Sequence, residues 1–205
     1  MRQDMPAVRP TVIFDLGGVL VDFDFMRACA RLEAAGGPPA QQIRDAILQG
    51  RDKTDFDTGR TSPQAFAARV CAGIGVSLPY AEFADIWCAI FVENREVTSL
   101  LDRIGSQADL LLLSNTDPLH LDYVRREYGF LGKFRRLLLS YELGQAKPAP
   151  QVYQQALAAC VPGSPVIYFD DIPEFVAAAR ACGLAAEQFV GIERLRRDLV
   201  QFGVL

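Results

Sequence analysis

Three short apolar runs in the chain each stop abruptly at polar residues. Thr11 to Phe14 precedes Asp15, Leu110 to Leu113 precedes Ser114-Asn115-Thr116-Asp117, and Pro165 to Phe169 precedes Asp170-Asp171. Continuous runs of this length predict strands covered on both faces, as in a parallel sheet. Helical patterns lie between and after them, over Glu96 to Ile104, Asp117 to Tyr128, Pro150 to Ala159, Pro173 to Ala181 and Glu193 to Phe202. Pro118, Pro150 and Pro173 fall where helices should begin and a missing N–H costs least. Further strands are expected at Arg136 to Ser140 and Ala185 to Val190. This alternation predicts an α/β fold with a doubly wound, mainly parallel sheet.

From Asp22 to Arg95 the texture changes. Apolar residues recur at helical spacing around Met26 to Ala35, Gln41 to Leu48, Pro63 to Gly73 and Tyr80 to Asn94, with no clear strand. The expected organisation is a core built from 1–21 and 96–205, with a small helical cap, 22–95, inserted after the first strand. An insert leaving a strand's carboxyl end sits over the crevice where open α/β sheets bind ligands.

Composition narrows the function. At 205 residues, the chain can bury roughly 70% of its unfolded surface. Half of it is hydrophobic and 22% charged, an ordinary globular balance. A net charge of −4 argues against a nucleic-acid or anionic-membrane partner, which needs clustered Lys and Arg. Cys29, Cys71, Cys88, Cys160 and Cys182 show neither C-x-x-C spacing nor an even number, which disfavours a disulfide framework or a zinc site. Met1 to Pro10 carries Arg2, Gln3 and Asp4 without an apolar segment, so a cytoplasmic location is expected.

In such a sheet the strand carboxyl ends converge, bringing together Asp15, Ser114 to Asp117 and Asp170-Asp171. Three carboxylates in one crevice repel one another, and an all-oxygen set favours Mg²⁺ over zinc. Lys147, in Gly144-Gln145-Ala146-Lys147-Pro148, can bring a fixed positive charge. Carboxylate, magnesium, lysine and a small hydroxyl together suit phosphoryl transfer. Gly17 and Gly18 let backbone approach the ligand closely.

Each residue also has a plainer reading. Asp15 can cap a turn, Asp170-Asp171 can serve the dipole end of the next helix, and Ser114 to Asp117 can supply an N-cap. Lys147 out of context is a surface lysine. His120 reads as structural, Trp87 with Phe83 and Phe91 as the buried face of a cap helix, and Arg194, Arg196 and Arg197 as a solvated face.

Four motifs in order, Phe14-Asp15-Leu16-Gly17-Gly18-Val19, Leu112-Leu113-Ser114-Asn115-Thr116, Lys147-Pro148 and Phe169-Asp170-Asp171, resemble the haloacid dehalogenase-like (HAD) hydrolase superfamily over nearly the whole chain. Phe14 to Phe25 and Leu113 to Thr116 are similar to bacterial sugar-phosphate phosphatases of the α-D-glucose-1-phosphate phosphatase type. The resemblance implies a Rossmann-like core and a magnesium-dependent phosphohydrolase of a small phosphomonoester, a sugar phosphate, working through an aspartyl-phosphate. It implies Asp15 as nucleophile and metal ligand, with the Gly17 carbonyl also on the metal. Ser114 and Asn115 then bind the phosphoryl group, Lys147 pairs with Asp15 and phosphate, and Asp170 and Asp171 hold the metal. The partner is a small-molecule phosphate ester, with no nucleic acid and no membrane.

Two positions depart from the pattern. Many phosphatases of the superfamily carry an aspartate, a general acid and base, where this chain has Gly17; Asp22 and Asp24, otherwise hinge residues, are the alternative candidates. Leaving groups of low basicity, such as those of sugar 1-phosphates, suit an enzyme lacking that acid. Phe175 stands where related proteins often place Asn or Asp to support the metal. The rival expectations are a metal-independent 2-haloacid dehalogenase and a non-catalytic binding or regulatory member of the same fold.

Overall fold

The computed structural model describes residues 9–205; the reading of Arg2, Gln3 and Asp4 falls outside them. Five parallel strands form one sheet in the order β5-β4-β1-β6-β7. They are β1 (Thr11–Phe14), β4 (Asp109–Ser114), β5 (Arg136–Leu139), β6 (Val166–Asp170) and β7 (Ala186–Gln188). The order reverses at β1, so the crevice beyond its end is the topological switch point of the sheet. Phe14 lies opposite Leu112 on one side and Phe169 on the other. One residue further along, Asp15 and Asp170 emerge beside each other.

Because successive strand residues face opposite sides, the apolar runs build two cores. Val12, Phe14, Leu110, Leu112 and Phe169 pack with α7 (Leu101–Gln107), α8 (Pro118–Glu127) and α12 (Ile192–Gln201) through residues such as Ile104, Leu121 and Leu199. Ile13, Leu111, Leu113 and Tyr168 pack against Val152, Tyr153 and Val176 of α10 (Pro150–Ala159) and α11 (Pro173–Ala181). Full burial of each such side chain is worth ~1.5–3 kcal/mol, which favours this strand register over one shifted by a residue. Pro118, Pro150 and Pro173 all stand at helix starts, as expected.

Residues between β2 (Val21–Phe23) and β3 (Phe91–Glu93) form five helices, α1 (Phe25–Ala34), α2 (Ala40–Gln49), α3 (Arg51–Asp57), α4 (Pro63–Ile74) and α5 (Tyr80–Cys88). They share a separate core that includes Leu32, Ile43, Phe56, Phe66, Phe83 and Trp87. Helix α4 shows why the local sequence suffices: Ser62 accepts a hydrogen bond from the Ala65 N–H, Pro63 opens the helix, and Gly75 closes it at φ 70°. These are the N-cap and left-handed C-terminal signals expected of a helix boundary.

The structure departs from the periodicity in three places. The helix expected to reach Asn94 ends at Cys88, and Phe91–Glu93 pairs antiparallel with Val21–Phe23. Backbone bonds from Asp24 N–H to Ile90 C=O (3.0 Å) and Asn94 N–H to Leu20 C=O (3.0 Å) extend that ribbon. This long-range pairing overrides local helical spacing. Helix α3 was not expected because its seven residues hold one buried apolar side chain, Phe56. The single helix expected over Glu96 to Ile104 is broken into α6 (Arg95–Thr98) and α7. Among the described residues, all five cysteines are free and no helix is long and apolar enough to cross a membrane.

Candidate active site

The strand ends gather the residues singled out by the motifs. Asp15 follows β1 directly and is buried; its backbone N–H donates to Phe169 C=O at 2.9 Å and its Oδ1 accepts the Leu16 N–H at 2.7 Å. Asp170 ends β6 with no exposure, and its Oδ1 accepts from Ile172 N–H at 2.9 Å. One carboxylate oxygen from each of Asp15, Asp170 and the partly exposed Asp171 lies within 4.8 Å of the others. Gly18, at φ 71°, makes this possible, since a Cβ there would overlap the Asp171 carboxylate.

Lys147 enters from the loop between α9 (Ser140–Leu143) and α10 and is 4% exposed. Its Nζ lies 3.0 Å from Asp15 Oδ1 and 2.7 Å from Asp170 Oδ2, and it donates to Tyr168 Oη at 3.0 Å. Three carboxylates and one ammonium leave two negative charges uncompensated in a buried crevice. Burial raises the Asp15 carboxyl; Lys147 opposes that rise and Asp170 adds to it, leaving the group at about 7. Burial, then Asp170, likewise raises Asp171. A hard divalent cation matches this charge deficit and its oxygen donors, so the residues present fit magnesium.

Asn115 is committed differently from the simplest expectation. Its Oδ1 accepts the Lys147 N–H at 2.7 Å and its Nδ2 donates to Lys147 C=O at 2.9 Å. The side chain therefore locks the lysine loop, leaving its backbone N–H and second amide hydrogen for a ligand. Ser114, at the buried end of β4, lines the adjoining cavity together with Asn115 and Gly17.

Tyr168 belongs to the site although the motifs did not single it out. Its hydroxyl bridges Lys147 and Asp170. The available signal was strand alternation: residues 168 and 170 share a face of β6. Phe175 places its ring 5.1 Å from Lys147 Nζ, so the departure at that position sets an aromatic face against the ammonium.

A cavity of about 350 Å³ lies between the strand ends and residues of α1, α2 and α3. Beside Gly17, the space for a side chain is filled by Phe23, whose Cε1 lies 3.0 Å from where a Cβ would stand. Phe23 faces the cavity, so its strand neighbour Asp22 points away, and Asp24 caps α1 by accepting from Met26 N–H at 3.0 Å. Neither side chain lines the cavity. Among the described residues, no Asp or Glu lines this cavity.

His120 also borders it, held within a junction between α5 and the start of α8. Its Nδ1 lies 3.0 Å from Asp117 Oδ2 and its Nε2 lies 3.1 Å from Trp87 C=O. Trp87 Nε1–H donates to Asp117 Oδ2 at 3.1 Å, and the indole stacks on the imidazole with centroids 5.2 Å apart.

A family model described as haloacid dehalogenase-like hydrolase matches residues 10–183. The chain belongs to that family. This hydrolase is 29% identical over 150 residues to a D-ribitol-5-phosphate phosphatase of Bacteroides thetaiotaomicron, covering 69% of the present chain and 72% of the relative. Its fold resembles a HAD family enzyme of the same organism, solved in complex with magnesium and inorganic phosphate, at 23% identity and TM-score 0.78. That match covers 88% of this chain and 93% of the other. A HAD-like hydrolase from Porphyromonas gingivalis matches with TM-score 0.81 at 24% identity, covering 94% and 98%. At these identities the two structures carry the fold alone.

Proposed function

We propose that this hydrolase is a cytoplasmic, magnesium-dependent phosphatase of small sugar phosphates, with 1–21 and 96–205 as its catalytic core and 22–95 as its cap. The observation that carries the reading is the Lys147 ammonium, 3.0 Å from Asp15 and 2.7 Å from Asp170, in a crevice that gathers three carboxylates. The curated relative acts on a sugar-alcohol phosphate, which supports the substrate class.

In this reading Asp15 attacks phosphorus and the P–O bond to the leaving group breaks, giving an aspartyl-phosphate and an alkoxide that takes a proton from water. A second water then hydrolyses the acyl phosphate and regenerates Asp15. Lys147 orients the nucleophile and balances charge on the phosphoryl oxygens. The Ser114 hydroxyl and the Asn115 backbone N–H donate to those oxygens. Asp15, Asp170, Asp171 and the Gly17 carbonyl would hold Mg²⁺, which neutralises charge on the transferring group. With no acid along the cavity, anomeric leaving groups are favoured over primary alkoxides, because acid help worth ~10²- to 10⁴-fold is absent.

Metal-independent dehalogenation fits less well, since two further carboxylates beside the nucleophile have no task in it. A non-catalytic role leaves the buried Asp15–Lys147 pair without a purpose. The test is a panel of phosphomonoesters, including hexose 1- and 6-phosphates, run with Mg²⁺, with chelator and with Asp15→Asn. Turnover is expected with Mg²⁺ alone, higher for 1-phosphates, and lost in both controls. Activity that survives chelation or the substitution refutes the proposal.

A further inference from the structure

The wall of the cavity facing the strand ends is furnished by the cap and its root, and its chemistry is lopsided. Phe23, Phe25, Leu48 and Phe91 make it apolar, and the charged groups on it are Arg44 of α2 and Lys53 of α3. Both side chains only donate hydrogen bonds. His120 lines the same space, but both its nitrogens are already engaged. The side chains with acceptor capacity left, Ser114, Asn115 and Thr116, stand together at the end of β4, on the phosphoryl side. A neutral polyol brings hydroxyls that must donate as well as accept, and such a wall leaves those donors unmatched.

We propose that Arg44 recognises a carboxylate at the far end of the leaving group, so that the preferred substrates are phosphorylated sugar acids rather than the matching neutral sugars or polyols. The inference rests on the phosphatase reading above. Lys53 is already paired with Asp57 behind it, which leaves Arg44 as the charge available to a ligand. Among the described residues its one ion pair is with its chain neighbour Asp45 at 3.2 Å, with side chains 43% and 45% exposed. Solvent screening makes that pair weak, and an incoming carboxylate can replace it. The guanidinium fork meets a carboxylate with two parallel bonds. Size agrees: a cavity of about 350 Å³ falls in the range of roughly 300–1,000 Å³ typical of small-molecule sites.

Two matched pairs test this, glucuronate 1-phosphate against glucose 1-phosphate and ribonate 5-phosphate against ribitol 5-phosphate, with p-nitrophenyl phosphate as a general ester. The readout is the ratio of kcat/KM within each pair, which does not depend on the fraction of active protein. Wild type should favour the acid by ~10-fold or more. Arg44→Met should bring the ratio to within about twofold, and Arg44→Glu should invert it. Equal turnover within the pairs, preference for the neutral member, or an acid preference that persists in Arg44→Met overturns the inference. Hydrolysis of p-nitrophenyl phosphate with none of the four sugar esters overturns it together with the sugar-phosphate substrate class, while leaving the phosphohydrolase chemistry of Asp15 intact. Hydrolysis of no ester at all overturns both.

Discussion

Asparagine in place of Asp117 would test whether α5 is held against α8 by a buried charge. Asp117 has no exposure and accepts from the Trp87 indole at 3.1 Å, the His120 ring at 3.0 Å and the His120 N–H at 3.0 Å. Burial alone would raise its pKa, but the His120 charge and hydrogen bonds, joined by Lys53, outweigh burial and hold it at about 2 against an ordinary 3.8. At ~1.4 kcal/mol per unit this difference is worth on the order of 2 kcal/mol of folding stability. A depressed carboxyl stabilises above its unfolded value and loses that contribution as pH falls through the folded value, so the window lies between about 4 and 2. Asparagine also turns an N–H toward a neighbouring donor, which adds to the loss. Asp117→Asn is therefore expected to lose about 2 kcal/mol or more at pH 7, and about half of the charge-dependent difference should be gone by pH 3. Urea unfolding at pH 7, 5, 4 and 3, followed by circular dichroism, measures it. A difference that stays constant across this range, or falls below about 0.5 kcal/mol at pH 7, refutes the charge-held junction.

Two further outcomes concern the catalytic crevice. Tyr168→Phe removes the hydroxyl that bridges Lys147 and Asp170 and should lower kcat/KM on the order of tenfold while the fold is kept; unchanged kcat/KM would show the bridge idle. The raised Asp15 carboxyl makes metal-free stability pH-dependent in the opposite sense to Asp117. Its contribution is full below 3.8 and lost as pH rises through about 7. The melting temperature without metal should fall between pH 5 and 8, and added Mg²⁺ should restore more of it at pH 8 than at pH 5. Equal Mg²⁺ shifts at both values contradict the assignment of Asp15 as a ligand.

Asp15, Asp170 and Asp171 were legible because an apolar run that stops at a carboxylate marks a strand end. The order of the runs implied a parallel sheet whose ends meet. Ser114 and Lys147 were legible through their place after strands and within the motif order, and α4 through its helical spacing from Pro63 to Gly73. The β2–β3 ribbon was not, because Phe91 follows Phe83 and Trp87 at helical spacing and only a partner 70 residues away, Val21, Asp22 and Phe23, turns that segment into a strand. Helix α3 escaped notice because packing against α4, with Phe56 stacked on Phe66 at 4.2 Å, stabilises it where periodicity does not.

By itself the sequence determined the alternation that builds two core faces and the set of acids and lysine that reach one crevice. Both follow from local rules, the two-residue period of strands and the polar ends of apolar runs. Tertiary structure alone decided how those groups are spent. It put Asn115 on the lysine loop, Tyr168 between Lys147 and Asp170, Phe23 in the space beside Gly17, and Trp87 against Asp117 and His120. Such pairings join side chains up to tens of residues apart, and what fixes them is mutual burial and hydrogen-bond satisfaction, which no local pattern along the chain encodes.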